Sequence, residues 1–192
     1  MSKRITPAQI GAAAKRRGLE PATVHAVLAV ESNGQGHAAD GRPIIRWEAH
    51  WFQRLTNGRF NKSHPHLSHS YGMRWNYSQP ALQAWRWRDR MDPALTLDRN
   101  AAIQSASWGL GQMMGFNYRK CGFASPQEFL NAHWRDEAGQ LEAMLNFIDA
   151  AGLTDELRRR DWAGFAHGYN GPDFASNKYD AKLAKAYRAA LA

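Results

Sequence analysis

Pro21-Ala22-Thr23-Val24-His25-Ala26-Val27-Leu28-Ala29-Val30-Glu31 is apolar for nearly its whole length and then ends in a carboxylic acid, followed by Ser32-Asn33-Gly34-Gln35-Gly36. Pro21 is a good first helical residue, and Gly34 or Gly36 can end the helix. Val24, Val27, Leu28 and Glu31 fall at i, i+3, i+4 and i+7, so Glu31 shares their buried face. A carboxyl group there is desolvated and meets the negative end of the helix dipole. Both effects disfavour its charged form, so its pKa is expected to rise. A raised carboxylic acid beside a glycine-rich turn suits a general acid at neutral pH. The plainer alternative is a helix-ending glutamate that points into water.

Outward from this helix, further helix signals dominate. Thr6-Pro7-Ala8-Gln9 reads as a capping box with Gly18 closing the helix, and Ser125-Pro126-Gln127-Glu128 reads as a second box. Leu141, Met144, Leu145 and Ile148 form a helical apolar stripe ended by Gly152. Asp161 caps a helix over Trp162 to His167, and Asp180 to Leu191 forms the last one. Leu97 to Ser107 reads as a helix, Pro80 to Asp89 as an amphipathic aromatic one, and Ala49 to Leu55 as a short one. Pro43 to Glu48 reads as extended, and Thr56 to Tyr77 as a long loop or irregular hairpin. The expected class is mainly α, with at most a small β-sheet or hairpin between residues 37 and 77. There is no repeat or linker, so residues 1–192 are expected to form one domain.

The single cysteine, Cys121, excludes an intrachain disulfide and a cysteine metal site. No apolar stretch reaches membrane-span length, and the amino terminus lacks the apolar core of a signal peptide. The net charge of +8 favours a polyanionic partner: nucleic acid, anionic membrane, or bacterial wall with its acidic peptides.

Glu48 follows Glu31 by 17 residues, at a predicted strand end or helix start where the dipole favours negative charge. Two carboxyls in opposed environments are what glycoside hydrolysis requires: one protonates the leaving oxygen, and the other stays charged to activate water or stabilise the cation. Capping of the next helix, or pairing with Arg46, is the structural alternative for Glu48.

Three segments add to this. Glu31-Ser32, then Ala106-Ser107-Trp108-Gly109-Leu110-Gly111-Gln112-Met113-Met114-Gly115, then Gly168-Tyr169-Asn170-Gly171 resemble, in order and spacing, the lysozyme-like superfamily, whose corresponding motifs line one sugar-binding cleft. Asp40-Gly41-Arg42-Pro43, Trp47-Glu48-Ala49-His50 and Asp161-Trp162-Ala163-Gly164-Phe165-Ala166 extend the resemblance to the N-acetylmuramidase domain of phage endolysins, from about residue 20 to residue 188. The resemblance implies a lysozyme-like helical fold and a glycoside hydrolase that cleaves the β-1,4 bond between N-acetylmuramic acid and N-acetylglucosamine. It implies Glu31 as catalytic acid, Glu48 as second carboxylate, and Ser107, Trp108, Gln112, Tyr169 and Asn170 as substrate-binding residues, with no cofactor and no metal. Gly109 and Gly111 would let backbone approach a sugar ring, Gln112 offers a donor and an acceptor, and Trp108 offers a stacking face. Each of these residues also has an ordinary structural reading as a turn or core residue.

The implied partner is bacterial peptidoglycan, bound by a monomer without a separate wall-binding domain and with no nucleic acid. The basic last helix, with Lys178, Lys182, Lys185 and Arg188, offers a contact to anionic outer-membrane lipid. The protein is expected to be made in the host cytoplasm and to act on the periplasmic wall after release. His64, His66 and His69 suit zinc by spacing, but no nearby acidic residue supports such a site. Two alternatives stand beside the hydrolase: a lytic transglycosylase needing Glu31 alone, and a non-catalytic cationic wall binder.

Overall fold

The first helix, α1 (Pro7–Arg16), starts as its capping box dictates. The Gln9 N–H donates to Thr6 Oγ1 at 3.3 Å while the Thr6 N–H donates to the Gln9 side chain at 2.9 Å. Gly18, at φ 63°, supplies the left-handed turn that ends it. These features come from a computed structural model that describes residues 3–32, 34–73 and 83–191. Helix α2 (Pro21–Ser32) buries Val24, Val27 and Leu28 completely or nearly so, and the Gly34 N–H donates to Leu28 O at 3.1 Å to close its end.

Strand β1 (Ile45–Trp47) leads into α3 (Ala49–Leu55). After residue 82 the chain forms α4 (Gln83–Arg86), a π-helical turn over Trp87–Met91, α5 (Asp92–Leu97) and α6 (Arg99–Gln104). Strands β2 (Ala106–Trp108) and β3 (Met113–Met114) follow. Then come α7 (Pro126–Arg135), α8 (Glu137–Ala150), α9 (Thr154–Arg159), α10 (Trp162–Asn170) and α11 (Tyr179–Leu191). The class is mainly α with a small sheet, as expected. Leu141, Met144, Leu145 and Ile148 all lie in the core, and α11 packs along α2 through buried Leu183.

Four expectations are corrected. The sheet is three-stranded and antiparallel in the order β1-β2-β3, so β1 finds its partner at residues 106–108 and not within 37–77. The stretch 56–73 contains no strand; the rest of that predicted loop, to Tyr77, lies outside the described residues. The helix read over Leu97 to Ser107 is cut at both ends. Asp98 caps α6 by accepting from the Ala101 N–H at 3.0 Å, and beyond Gln104 the chain turns extended to pair Ala106 with Trp47. Pairing with a distant strand outweighs local helix preference there. The helix read over Pro80 to Asp89 passes into the π-helical turn, with residues 80–82 outside the described set. In the box at Ser125, the Glu128 carboxylate accepts from the Ala124 N–H at 3.1 Å and not from that of Ser125.

Helix α8 fastens two loops to the core. Buried Glu137 accepts from the Gly36 N–H at 2.8 Å, the Ile5 N–H at 2.9 Å and Arg4 at 3.2 Å. Burial pushes its pKa up, but the adjacent His37 imidazole at 3.9 Å, the hydrogen bonds from Ile5 and Gly36 and the Arg4 charge outweigh that and hold it below the usual carboxylate range. One turn on, Gln140 accepts from the Leu110 N–H at 2.9 Å and donates to His133 O at 2.8 Å and Gly36 O at 3.3 Å. A Cβ at Gly36 would stand 1.9 Å from Gln140 Oε1, and one at Gly109 would stand 2.3 Å from it. Only glycine lets both loops approach this side chain.

Gln140→Ala strands a buried Leu110 N–H and a buried His133 carbonyl. It is expected to cost about 3 kcal/mol of unfolding free energy in urea denaturation. A loss below about 1 kcal/mol would show that water replaces the amide without penalty.

Candidate active site

Glu31 occupies the last turn of α2, partly buried. Burial pushes its pKa above the ordinary carboxyl value, and a hydrogen bond from Asn170 Nδ2 to Glu31 Oε1 at 3.2 Å partly offsets this. The rise expected from the sequence is therefore present, with desolvation as its main cause. Asn170 is the last residue of α10, and Gly171 at φ 88° turns the chain away immediately after it. The other amide atom, Asn170 Oδ1, is buried with no partner in the protein. A buried acceptor of this kind marks a place for a water or a ligand N–H.

Tyr169 lies beside Glu31. Its hydroxyl donates to Gly111 O at 3.0 Å, its ring stacks on Phe165, and burial, then the Glu31 charge, drive its pKa far up. It is thus a neutral strut that ties α10 to the Gly109–Gln112 turn. Gln112 is held at φ 46°, a left-handed conformation that non-glycine residues rarely adopt. Its Nε2 donates to Gly109 O at 2.9 Å and its Oε1 accepts from Ser107 Oγ at 3.1 Å.

The sheet carries this line onward. Residues directly opposite in an antiparallel pair share a face. Arg46 pairs with Ser107, and Ser107 with Met114, so these three lie together on one face. The other face carries Ile45 and Trp108, both fully buried. Trp108 therefore cannot serve as a sugar-stacking platform. Its indole N–H donates to Ile103 O at 2.9 Å, and its ring packs against Trp87 in the core.

Glu48 stands just beyond β1, with its N–H donating to Ser105 O at 2.9 Å. It sits at the N-cap of α3 but makes no side-chain cap, so the capping alternative fails. Instead its carboxylate meets Arg46 Nε at 3.1 Å and His50 Nδ1 at 3.7 Å. An unbroken series of contacts thus leads from Glu31 through Asn170 and Tyr169 to Gly111, Gln112 and Ser107, and across the sheet to Arg46 and Glu48. Of the residues read from the sequence, all but Trp108 lie on this line.

A cavity of about 340 Å³ opens beside Glu48, walled by Arg46, Tyr71, Trp85, Arg86 and Arg90 among others. Sequence reasoning missed this wall. The alternation Trp85-Arg86-Trp87-Arg88 was its only signal, and it reads equally well as a surface helix. Among the described residues, no three His, Cys, Asp or Glu side chains are grouped to hold a metal ion, and no helix is long and apolar enough to cross a membrane. Lys182, Lys185 and Arg188 are exposed on α11.

A family described as N-acetylmuramidase matches residues 20–191. The chain is also similar to the crystal structure of Burkholderia AP3 phage endolysin, at 33% identity and a TM-score of 0.83, over 100% of this chain and 72% of that one. No curated protein matches.

The raised Glu31 makes a stability prediction whose sign is fixed. The folded state prefers the protonated carboxyl more than the unfolded state does, so stability is lost as pH rises through the folded pKa. Glu31→Gln keeps the acceptor for Asn170 and removes that penalty. The variant is expected to melt higher than wild type at pH 7, with the difference vanishing at about pH 4, where both states bind the proton. Equal melting temperatures at pH 7 would contradict the burial account.

Proposed function

The chain belongs to the N-acetylmuramidase family, and from that premise we propose that it hydrolyses the β-1,4 bond between N-acetylmuramic acid and N-acetylglucosamine in peptidoglycan. The coarser activity, peptidoglycan hydrolysis, is what the family and the endolysin neighbour support. Glu31 as the acid is supported by one observation above others: a buried carboxyl with a raised pKa, oriented by Asn170.

In this reading the Asn170 amide engages Oε1, so the proton resides on Oε2. Glu31 delivers it to the glycosidic oxygen as the bond to the anomeric carbon breaks. The bond electrons leave with that oxygen, and positive charge develops on the sugar ring. Glu48, the second carboxylate, stabilises that charge or takes a proton from the attacking water, and the product carries a reducing muramic acid end. Gln112 and Ser107, on the line between the two carboxyls, contact the sugar. Asn170 Oδ1 accepts from the water or from an N-acetyl N–H.

A second reading has its own support. The Glu48 carboxylate is already engaged by Arg46 and His50. If that engagement is purely structural, Glu31 acts alone, the 6-hydroxyl of the muramic acid attacks, and the enzyme is a lytic transglycosylase.

Digestion of purified peptidoglycan, with mass spectrometry of the products before and after reduction, separates the two. Reducible muramic acid ends are expected; anhydro-muramic ends would establish the second reading, and reducible glucosamine ends would move the scissile bond. Glu31→Gln is expected to lower turnover by about 10²–10⁴-fold with the fold intact. Glu48→Gln is expected to be severe in a hydrolase and mild in a transglycosylase.

A further inference from the structure

The cavity beside Glu48 is unbalanced in charge. Among the described residues its lining contains three arginines, Arg46, Arg86 and Arg90, and one carboxylate, Glu48. Arg90 is almost fully buried, with 5% of its surface exposed, and its guanidinium lies 4.2 Å from the centre of the Trp85 ring. Arg86 is anchored by donating to Ile45 O at 2.8 Å, while Gln83 accepts from the Ile45 N–H at 2.9 Å. Helix α4 thereby covers the outer edge of β1 and holds the Arg86 charge at the rim of the sheet. Arg46 projects from the same strand, mostly exposed.

Burial and then the Arg46 charge pull the Arg86 pKa down, with Glu48 opposing them only in part. A concave site with an excess of one charge concentrates ligands of the other sign. Guanidinium groups in particular match carboxylates through paired N–H donors. A neutral sugar fits less well. The Arg90 guanidinium covers one face of the Trp85 ring, so a ligand on that side meets a cation before an aromatic surface.

Within the substrate class argued above, muramic acid is the sugar that carries a peptide, and that peptide bears free carboxylates. We propose that the cavity walled by Arg46, Arg86 and Arg90 is a peptide subsite, which binds the carboxylates of the acidic peptide on the muramic acid next to the scissile bond. The assignment rests on the muramidase reading, because Glu48 is what places the cavity beside the reacting sugar. It makes the enzyme selective for wall that still carries its peptides. Exposed Tyr71, 85% accessible, provides an apolar flank for the peptide's methyl and methylene groups.

The test compares one peptidoglycan in three soluble forms: with native peptides, with the peptide carboxylates amidated, and with the peptides removed by an amidase. The full chain is expected to cleave the native form with a kcat/KM about tenfold or more above that of the other two, the loss expected for at least one charge-assisted hydrogen bond. In Arg46→Gln and Arg86→Gln the ratio of native to amidated rates is expected to fall toward one. A merely structural effect of either change lowers both rates together and leaves the ratio intact, which would overturn the assignment to these arginines. Equal rates on all three forms in the wild-type chain would overturn the peptide subsite while leaving the muramidase reading standing. Failure to cleave any of them would remove that reading and the subsite with it.

Discussion

The architecture depends on two polar side chains buried one turn apart on α8. Glu137 and Gln140 accept and donate hydrogen bonds to Gly36, just after the end of α2, and to Leu110, in the turn between β2 and β3. These loops carry the two sides of the candidate site, since Glu31 precedes the first and Gln112 follows the second. A buried polar group is tolerated only when its hydrogen bonds are satisfied, and here satisfaction specifies where both loops must lie. The glycines at 36 and 109 are the complement of this arrangement, because any side chain there would occupy the space of the Gln140 amide. What looks in the sequence like loop flexibility is therefore a packing requirement.

A second coupling joins α10 to the same frame. Tyr169 reaches from α10 to Gly111 O, and the next residue, Asn170, reaches to Glu31. One helix end thus bridges the sheet turn and the candidate acid. The acid's electrostatics follow from this placement. Burial at the end of α2 withdraws its carboxyl from water, which raises the pKa, and the Asn170 amide donor moderates the rise without supplying a counter-charge. The carboxylate of Glu48 is treated in the opposite way, surrounded by Arg46 and His50 at a partly open surface. One glutamate shielded and the other ion-paired have the asymmetry that acid-assisted bond cleavage needs.

Much of the helical scaffold was legible. Thr6, Ser125 and Asp161 act as caps, Gly18 and Gly152 turn the chain, and α3 spans Ala49–Leu55 as read. Glu31 could be placed on the buried face of α2 from spacing alone. The errors concentrate where a distant partner decides. The strand at Ala106–Trp108 was read as the end of a helix, because nothing nearby in sequence announces that Trp47 will pair with it. For Trp108 the sequence leaves two roles open, sugar platform or core ring, because a tryptophan in a glycine-rich motif suits either. Only the register of the sheet turns it into the core and leaves Ser107 on the opposite face, with Arg46 and Met114.

The sequence by itself determined the capped and glycine-ended helices, and the identity and local setting of the candidate acid. Capping, helical periodicity and glycine turns act over three or four residues and can be read without knowing the fold. Tertiary structure alone decided which strands pair, which aromatic rings are buried, and that Arg46, Arg86 and Arg90 meet beside Glu48. Those outcomes depend on groups tens of residues apart being packed against one another, such as Trp87 with Trp108 and Ile45 with Trp108. A charge or a ring has no environment until that packing supplies one.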